Sequence, residues 1–500
     1  MKKNKKQVWG GRLSEKPEML NVLYTAGRDV IPVKAADEIL IPYDIWVNQA
    51  HSIMLNKQGI ITKIELSKIL KALKQLENDY QSGNFKLDPE KEDVHINVED
   101  YVSDKIGADI GGKIHTGRSR NDQSTTDVRL YIRDECLSFI AGLVSLTETL
   151  ITLAQNHLET VMMGFTHYQP ATVTSFAHIL TSYAQALIRD IARFKEVFAV
   201  INQNPLGAAA SYGTSWNIDR EYTAELLGFD SVQENTVDCT TSRWESEAQL
   251  ASAIVFMMNH LSIISQDLIF LSSPYVNVLK INDAYITGSS IMPQKRNPDF
   301  AEVTKAKASL SYGILMSLMS IPKGLISGYN RDYQWTKFFV MDIIRECKDA
   351  PEIFKGVFST IEVNKKNAFK QAMVGFMNAV EIADYIAQKE GIAFRDCYKA
   401  VALAVKYSDA EGQLTPQALN KSLKESGIKN IIYESDWNKL NNPLENILTK
   451  KHTGAPAPEA VKKNIINLHR NIIDTKEWYT KQSEIIKSAY EICKNFRIEK

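Results

Sequence analysis

The sequence predicts an all-α protein built around a bundle of long helices. Apolar residues recur at three- and four-residue spacing over long stretches, several of these stretches are apolar on more than one side, and strand signals are scarce. There is no run of hairpins and no repeat period, and the one biased segment is the basic tip Met1-Lys-Lys-Asn-Lys-Lys-Gln7.

In chain order, the section up to about residue 118 reads as shorter helices joined by irregular chain, with breaks at Ser82-Gly83 and Asp88-Pro89. From Ser124 to about Thr160, Leu130, Leu137, Ile140, Val144, Leu150 and Leu153 mark a long helix interrupted only by Gly142. A similar pattern runs from about Thr174 to Asn202. Between Glu245 and Leu271 one face carries Leu250, Ile254, Met257, Leu261, Ile264, Leu268 and Leu271, and the other carries Ala251, Val255 and Met258. A helix apolar nearly all round belongs at the centre of a bundle. A further helix is expected from about Pro298 to Met319, and the chain beyond 370 is a smaller helical part broken at Gly454-Ala-Pro-Ala-Pro458. The expected units are 1–118, 119–370 and 371–500. Central helices that one chain cannot cover predict an oligomer.

Composition narrows the class. Five hundred residues are enough to bury a large core, and 44% hydrophobic with 24% charged residues is ordinary for a soluble protein. Lys+Arg equals Asp+Glu at 59 each, so net charge points to neither nucleic acid nor an anionic membrane. The basic tip is followed by Val8-Trp-Gly-Gly11 instead of an apolar segment, which speaks against a signal peptide. Uninterrupted apolar runs such as Ala253–Met258 fall far short of the roughly 18 residues of a membrane span. Cys136, Cys239, Cys347, Cys397 and Cys493 are odd in number and scattered, without CxxC spacing. They read as reduced thiols of a cytoplasmic protein, forming neither a disulfide frame nor a zinc site.

Three segments gather polar residues between helical stretches. In Gly111-Gly-Lys-Ile-His-Thr-Gly-Arg-Ser-Arg-Asn-Asp-Gln123, glycines let backbone amides approach a ligand, and Arg118, Ser119, Arg120 and Asn121 lead into a helix. Cationic side chains and free amides at a helix start suit a carboxylate or phosphate; the bland reading is a Gly-rich turn with solvated arginines. Gly164-Phe-Thr-His-Tyr-Gln-Pro170 places His167 on a connection between helices, where it is suited to proton transfer near neutral pH or to plain hydrogen bonding. His51, His178 and His260 fall inside helical patterns and read as packing or surface residues. Gly288-Ser-Ser-Ile-Met-Pro-Gln-Lys-Arg-Asn-Pro298 reads as a flexible loop ending in a helix start, with Asn297 as N-cap and Pro298 in the first turn. A serine there becomes a base only if a cation or amide dipoles stabilise its alkoxide, which Lys295, Arg296 and the helix start could do; the alternative is a solvated basic loop. GxxxxGK[ST], a strand-linked GxGxxG, HExxH and GxSxG are all missing, so no nucleotide, nicotinamide or catalytic metal is expected and no cofactor is called for.

Taken together and in this order, the three segments resemble the argininosuccinate lyase branch of the fumarase/aspartase superfamily. GSSIMPQKRNP resembles the superfamily signature, and HTGRSRNDQ is close to diagnostic for the branch. Further matches extend over nearly the whole chain: Trp9-Gly-Gly-Arg12, Glu92-Asp-Val-His95, Pro205-Leu-Gly207 with Ile218-Asp-Arg220, Tyr329-Asn-Arg-Asp332, Ala383-Asp-Tyr385 and Ala457-Pro-Glu459. The resemblance implies a three-domain all-α subunit whose central bundle joins three others in a homotetramer with a twenty-helix core. It also implies active sites shared between subunits.

The implied chemistry is anti β-elimination of argininosuccinate to arginine and fumarate, in arginine biosynthesis. Ser289 is then the base and His167 the acid, while Lys295 and Asn297 hold the carboxylate on which charge develops. Ser119, Arg120, Asn121 and Thr166 bind the succinyl carboxylates, and Tyr329, Gln334 and Lys337 contact the amino-acid end. Departures from the family pattern concern the leaving amine: Val33 stands where a substrate-binding serine belongs, Tyr168-Gln-Pro-Ala-Thr-Val173 follows His167, and Trp335 and Thr336 replace two acids. Two alternatives remain open: a lyase releasing fumarate from another N-succinyl amine (adenylosuccinate or a diamine–succinate adduct), or an inactive structural relative of the crystallin kind.

Overall fold

The computed structural model describes residues 13–408, 410, 412–429 and 431–498, so the Trp9–Arg12 match lies outside the described residues. Helices α1 (Met19–Ala26), α2 (Ala36–Lys57), α3 (Lys63–Gln81), α4 (Val94–Ile106) and α5 (Ala108–Gly111) precede the bundle. Its long members are α6 (Arg120–Gln155), α7 (Phe176–Ile201), α10 (Arg243–Ser272) and α11 (Asp299–Ser320), with α8 (Arg220–Leu226) and α9 (Thr236–Thr241) between α7 and α10. Then come α12 (Thr336–Cys347), α13 (Ala350–Thr360) and α14 (Lys365–Ala372). A smaller group, α15 (Ala379–Glu390), α16 (Phe394–Tyr407), α17 (Pro416–Glu425), α18 (Glu434–Leu440) and α19 (Pro443–Thr449), has its own core of Ile382, Ile386, Val401, Leu419 and Leu423. The last helix, α20 (Pro458–Lys494), returns to pack on α6 and α7.

The helices lie where periodicity places them, with ends set by capping. α6 begins at Arg120, ahead of Ser124, because Ser119 and Asp122 form a capping box at its head. Both apolar faces of α10 are buried: Leu250, Ile254, Met257 and Leu261 on one, Ala251, Val255 and Met258 on the other. α11 lies antiparallel to it, with Lys305 bonded to Gln266 and Tyr312 to Asn259. Side chains facing away from these contacts are nonetheless apolar: Phe256 and Ile263 on α10, and Leu310, Met316 and Met319 on α11, are all exposed. α6 and α10 each contain a stretch long and apolar enough to cross a membrane by length and composition, of which 56% and 50% is buried within the chain.

The expectation that Gly164–Pro170 is a plain connection between helices is corrected. Strands β1 (Val161–Thr166) and β2 (Gln169–Ser175) form an antiparallel hairpin in which Thr166 pairs with Gln169. β-Branched residues at Val161, Thr172, Val173 and Thr174 favour strands. A Cβ on Gly164 would come within 2.6 Å of the Thr172 carbonyl, so only glycine fits there. His167 (φ 53°) and Tyr168 (φ 59°) form the two-residue turn, both left-handed, as a tight hairpin turn demands. The other sheets, β3 (Gln203–Asn204) with β4 (Ser231–Val232) and β5 (Leu279–Lys280) with β6 (Glu362–Val363), are minimal.

Tyr285, just ahead of the Ser289 loop, donates its hydroxyl to Glu18 (2.5 Å) and lies against Gly356 on α13 so closely that any Cβ there would collide with the phenol. Gly356→Ala is therefore expected to lower stability by about 1–3 kcal/mol, as overpacking of a filled site does. Urea unfolding measures it, and an unchanged midpoint would show that Tyr285 is free to move.

Candidate active site

At the head of α6 the Ser119 Oγ accepts the Asn121 N–H (3.3 Å), and Asp122 accepts the Ser119 N–H (2.9 Å) through Oδ1. The second oxygen of Asp122 accepts the N–H groups of Gly207 and Ala209, both at 2.8 Å. Gly207 (φ 88°) has no room for a side chain, because a Cβ would lie 2.7 Å from Ile218 and 2.9 Å from Arg220. That contact accounts for the two short motifs at 205–207 and 218–220 occurring together. Burial pushes the Asp122 carboxyl up to about 6, against the pull of these backbone N–H groups and Arg118. In the same loop Ser211 accepts the Tyr329 N–H (3.1 Å), and Gly328 donates to Thr241 (2.8 Å), bringing the 328–337 segment to this end of the bundle.

Charged side chains complete this end. Arg120 pairs with Asp93 (2.7 Å) and Glu92 (3.2 Å), and Arg331 reaches Glu92 at 3.3 Å. Lys337 pairs with Asp37, which also accepts the Val94 N–H (3.1 Å). The Arg120–Glu92 pair is exposed and worth little, whereas Lys337 and Asp37 are largely buried against each other. Gln334 lies on the 3-10 turn Arg331–Trp335 between them. A cleft of about 870 Å³ opens alongside, lined by Asp37, Phe85, Glu92, Asp93, Lys337 and Phe338. Val33 is 49% exposed one residue ahead of Lys34, which lines the same cleft. Trp335 faces out, edge-on to Phe338 (5.4 Å between ring centres), while Thr336 turns inward and donates to Glu247 (3.1 Å).

The other expected residues sit elsewhere. Thr166 and His167 are exposed at the tip of the β1–β2 hairpin, where Phe165 and Tyr168 pack on Phe270 of α10. The Ser289 loop precedes α11. Its ends are closed by Thr287 and Asn297, whose backbones exchange hydrogen bonds of 2.8 and 3.0 Å. Asn297 is therefore not the N-cap of α11; that position falls to Pro298, and the Asn297 amide reaches back to the Gly288 carbonyl (3.5 Å). Arg296 is likewise turned away from Ser289, bonded to Asp283 and to the Ile281 carbonyl (2.8 Å). What faces the Ser289 Oγ are the N–H groups of Ile291 (3.3 Å) and Met292 (3.0 Å). Both donate to it, so an alkoxide there meets two amide dipoles. Lys295 is exposed on the same loop, its N–H donating to the Met292 carbonyl (3.0 Å).

The two groups occupy opposite ends of the bundle. Arg243, the first residue of α10, donates to Ser124 beside the Ser119 segment (3.2 Å), whereas Phe270 near the last residue meets the His167 hairpin. At 1.5 Å per helical residue this is roughly 40 Å. One chain brings Ser119, Arg120, Asn121, Tyr329, Gln334 and Lys337 together at one end; Thr166, His167, Ser289, Lys295 and Asn297 lie toward the other. Sequence reasoning missed Asp122 as the anchor of the first group, although Ser119 followed three residues later by an acid is a capping-box pattern. It also missed the Glu92, Asp93 and Asp37 counter-charges, which carry no local signal.

Comparison with known proteins bears on the same segments. The sequence matches the family described as Lyase over residues 24–313, and that described as Argininosuccinate lyase C-terminal over residues 376–437. It is 37% identical to an argininosuccinate lyase from Desulforamulus reducens, over 92% of this chain and 97% of that one. It is 36% identical to an argininosuccinate lyase from Methanosarcina mazei, over 96% of each. Among solved structures it is similar to EDDS lyase in complex with formate, with a TM-score of 0.88 and 25% identity over 97% of this chain and 96% of that one.

Because Asp122 takes up a proton as pH falls through about 6, its neutral form sets an O–H against N–H donors and loosens the Ser119 segment. Turnover with any substrate that uses this segment is expected to fall below about pH 6. The carboxyl is raised above its unfolded value of about 3.8, so its protonation favours the folded form between about pH 6 and 4. Activity should therefore drop while the thermal midpoint does not drop through this group. A pH–rate profile measured beside a melting curve tests this, and a flat profile to pH 5 would contradict it.

Proposed function

This chain belongs to the argininosuccinate lyase family, and we propose that it cleaves argininosuccinate to arginine and fumarate by anti β-elimination. The observation that carries the mechanism is the pair of amide N–H groups donated to the Ser289 Oγ. In the alkoxide form Ser289 takes a proton from the succinyl carbon next to a carboxylate. The resulting aci-carboxylate charge is held by Lys295 and Asn297. The carbon–nitrogen bond then breaks, the carbon–carbon double bond of fumarate forms, and His167 returns a proton to the departing guanidino nitrogen. Ser119, Arg120, Asn121 and Thr166 hold the succinyl carboxylates; Tyr329, Gln334 and Lys337 hold the amino-acid end.

The separation of roughly 40 Å along α10 supports a site assembled from several copies of the chain. The exposed Phe256, Ile263, Leu310, Met316 and Met319 supply apolar surface for the partner helices to cover. The reading is a cytoplasmic homotetramer acting in arginine biosynthesis, with units 1–118, 119–370 and 371–500 and each site drawing on more than one subunit.

Fumarate release, followed by ultraviolet absorbance, tests the reaction with argininosuccinate and, in parallel, adenylosuccinate. Ser289→Ala is expected to lower kcat by about 10²–10⁴-fold, the usual loss of a general base, with the melting temperature unchanged. Near-wild-type turnover would remove Ser289 from the base role, and turnover of adenylosuccinate alone would replace the substrate. Mixing inactive Ser289→Ala and Arg120→Ala chains under subunit exchange should restore part of the activity, since hybrid sites that take the two ends from different copies draw each residue from an intact one. A mixture that stays inactive despite exchange would place both residues of a site in one chain.

A further inference from the structure

Beneath the Ser119 segment lies a buried layer of ionisable groups that the elimination does not use. Arg118, part of that segment, turns inward and is buried; its Nη2 donates to the Asn48 Oδ1 while Nε and Nη1 have no partner. Asn48 on α2 in turn donates its Nδ2 to the Asp44 carbonyl (2.8 Å) and to the Asp44 Oδ2 (2.9 Å). The Asp44 Oδ1 receives His95 Nδ1 (2.8 Å) and Gln123 Nε2 (2.6 Å). We propose that Asp44 is a positioning residue for substrate binding: its carboxylate charge orients the Asn48 amide, which anchors Arg118 and with it the Ser119–Asn121 backbone.

The argument is one of hydrogen-bond polarity. A carboxylate accepts and cannot donate, so Asn48 must present its NH₂ to Asp44 and is left with only its oxygen for Arg118. If Asp44 became an amide, its oxygen would stay with His95 and Gln123 and its NH₂ would face the Asn48 NH₂, leaving only the Asp44 carbonyl to hold the Asn48 amide for Arg118. His51 fixes the start of the segment through its Nε2–H to the Thr116 carbonyl (2.8 Å); burial and nearby Arg118 keep its ring neutral. Asp127, also fully buried, lies 3.6 Å from His95 Nδ1, and neither of its oxygens has a partner. Two carboxyls in one buried pocket with a single guanidinium cannot both stay charged. Burial and Asp44 push Asp127 well up, whereas His95, Arg118 and Gln123 outweigh burial at Asp44 and hold it down. Asp127 is thus the neutral acid, and Asp44 balances Arg118. Further ionisable groups act on this layer from Asp37 on α2, Glu99 on α4, His115 ahead of α6 and Asp122 on α6. The ligand atoms of Asp44, His95 and Asp127 lie within 4.8 Å of one another, a spacing that also suits a divalent cation; the adjacent Arg118 opposes one.

The inference rests on the Ser119 segment binding substrate carboxylate, and the test separates the two. Asp44→Asn should raise KM for argininosuccinate about tenfold with kcat within about twofold. Asp127→Asn, which mimics the neutral acid, should leave both within about twofold. If Asp44→Asn does not fold, as judged by circular dichroism, Arg118→Lys should give the same KM-only change. If wild-type protein turns over no argininosuccinate, the functional reading fails. Calorimetric titration with fumarate then makes the same comparison, expecting a tenfold loss of affinity in Asp44→Asn alone. Equal behaviour of Asp44→Asn and wild type would overturn the proposal. Equal losses in Asp44→Asn and Asp127→Asn, with a stoichiometric divalent metal found by elemental analysis, would replace it with a metal site.

Discussion

The packing of α10 constrains everything else. A continuous helix of 30 residues buried on both apolar faces against α6, α7 and α11 cannot bring its ends together. Whatever is attached near Arg243 is held roughly 40 Å from whatever is attached near Ser272. The Ser119 and Tyr329 segments are bonded to the first end, and the hairpin and the Ser289 loop to the second. The rigidity that stabilises the bundle therefore keeps the two groups of candidate residues apart within one chain. The apolar residues left exposed on α10 and α11 are the counterpart of that arrangement on the faces turned away from these contacts.

Backbone amides do much of the electrostatic work at both ends. Ser289 receives two N–H groups from the next three residues, a local serine turn that needs no distant partner. Asp122 receives three, one from its own helix head and two from a loop more than eighty residues away. Fixed dipoles of this kind do not reorganise during a reaction, which makes them effective where charge develops or a carboxylate docks. Arg296, by contrast, looks catalytic in the sequence and is structural in the fold: bonded to Asp283, it leaves the Ser289 Oγ to the amides.

The long helices and the two apolar faces of α10 are legible in the sequence, because each depends on residues within a few positions of one another. The Ser119–Asp122 capping box and the serine turn at Ser289 are equally local, but their segments read as a lead-in to a later helix and as a flexible loop. The β1–β2 hairpin was hidden by its turn, where His167-Tyr168 stands in place of the Asn-Gly that usually marks one. Asn297 misled for a related reason. Asn-Pro before an acidic turn is a strong local helix start, yet pairing with Thr287 closed the loop and moved the helix start on by a residue.

By itself the sequence determined the helical class, the long central helices and the family resemblance, and it named the candidate residues for elimination chemistry. Periodicity, capping and short motifs act through contacts three or four positions apart. Only the tertiary structure decided which segments share an end of the bundle, that Lys337 meets Asp37 and Arg120 meets Glu92 and Asp93, and that Arg118 turns down onto Asn48 and Asp44. Those relations join residues tens to hundreds of positions apart, and they follow from which helix faces can be buried together.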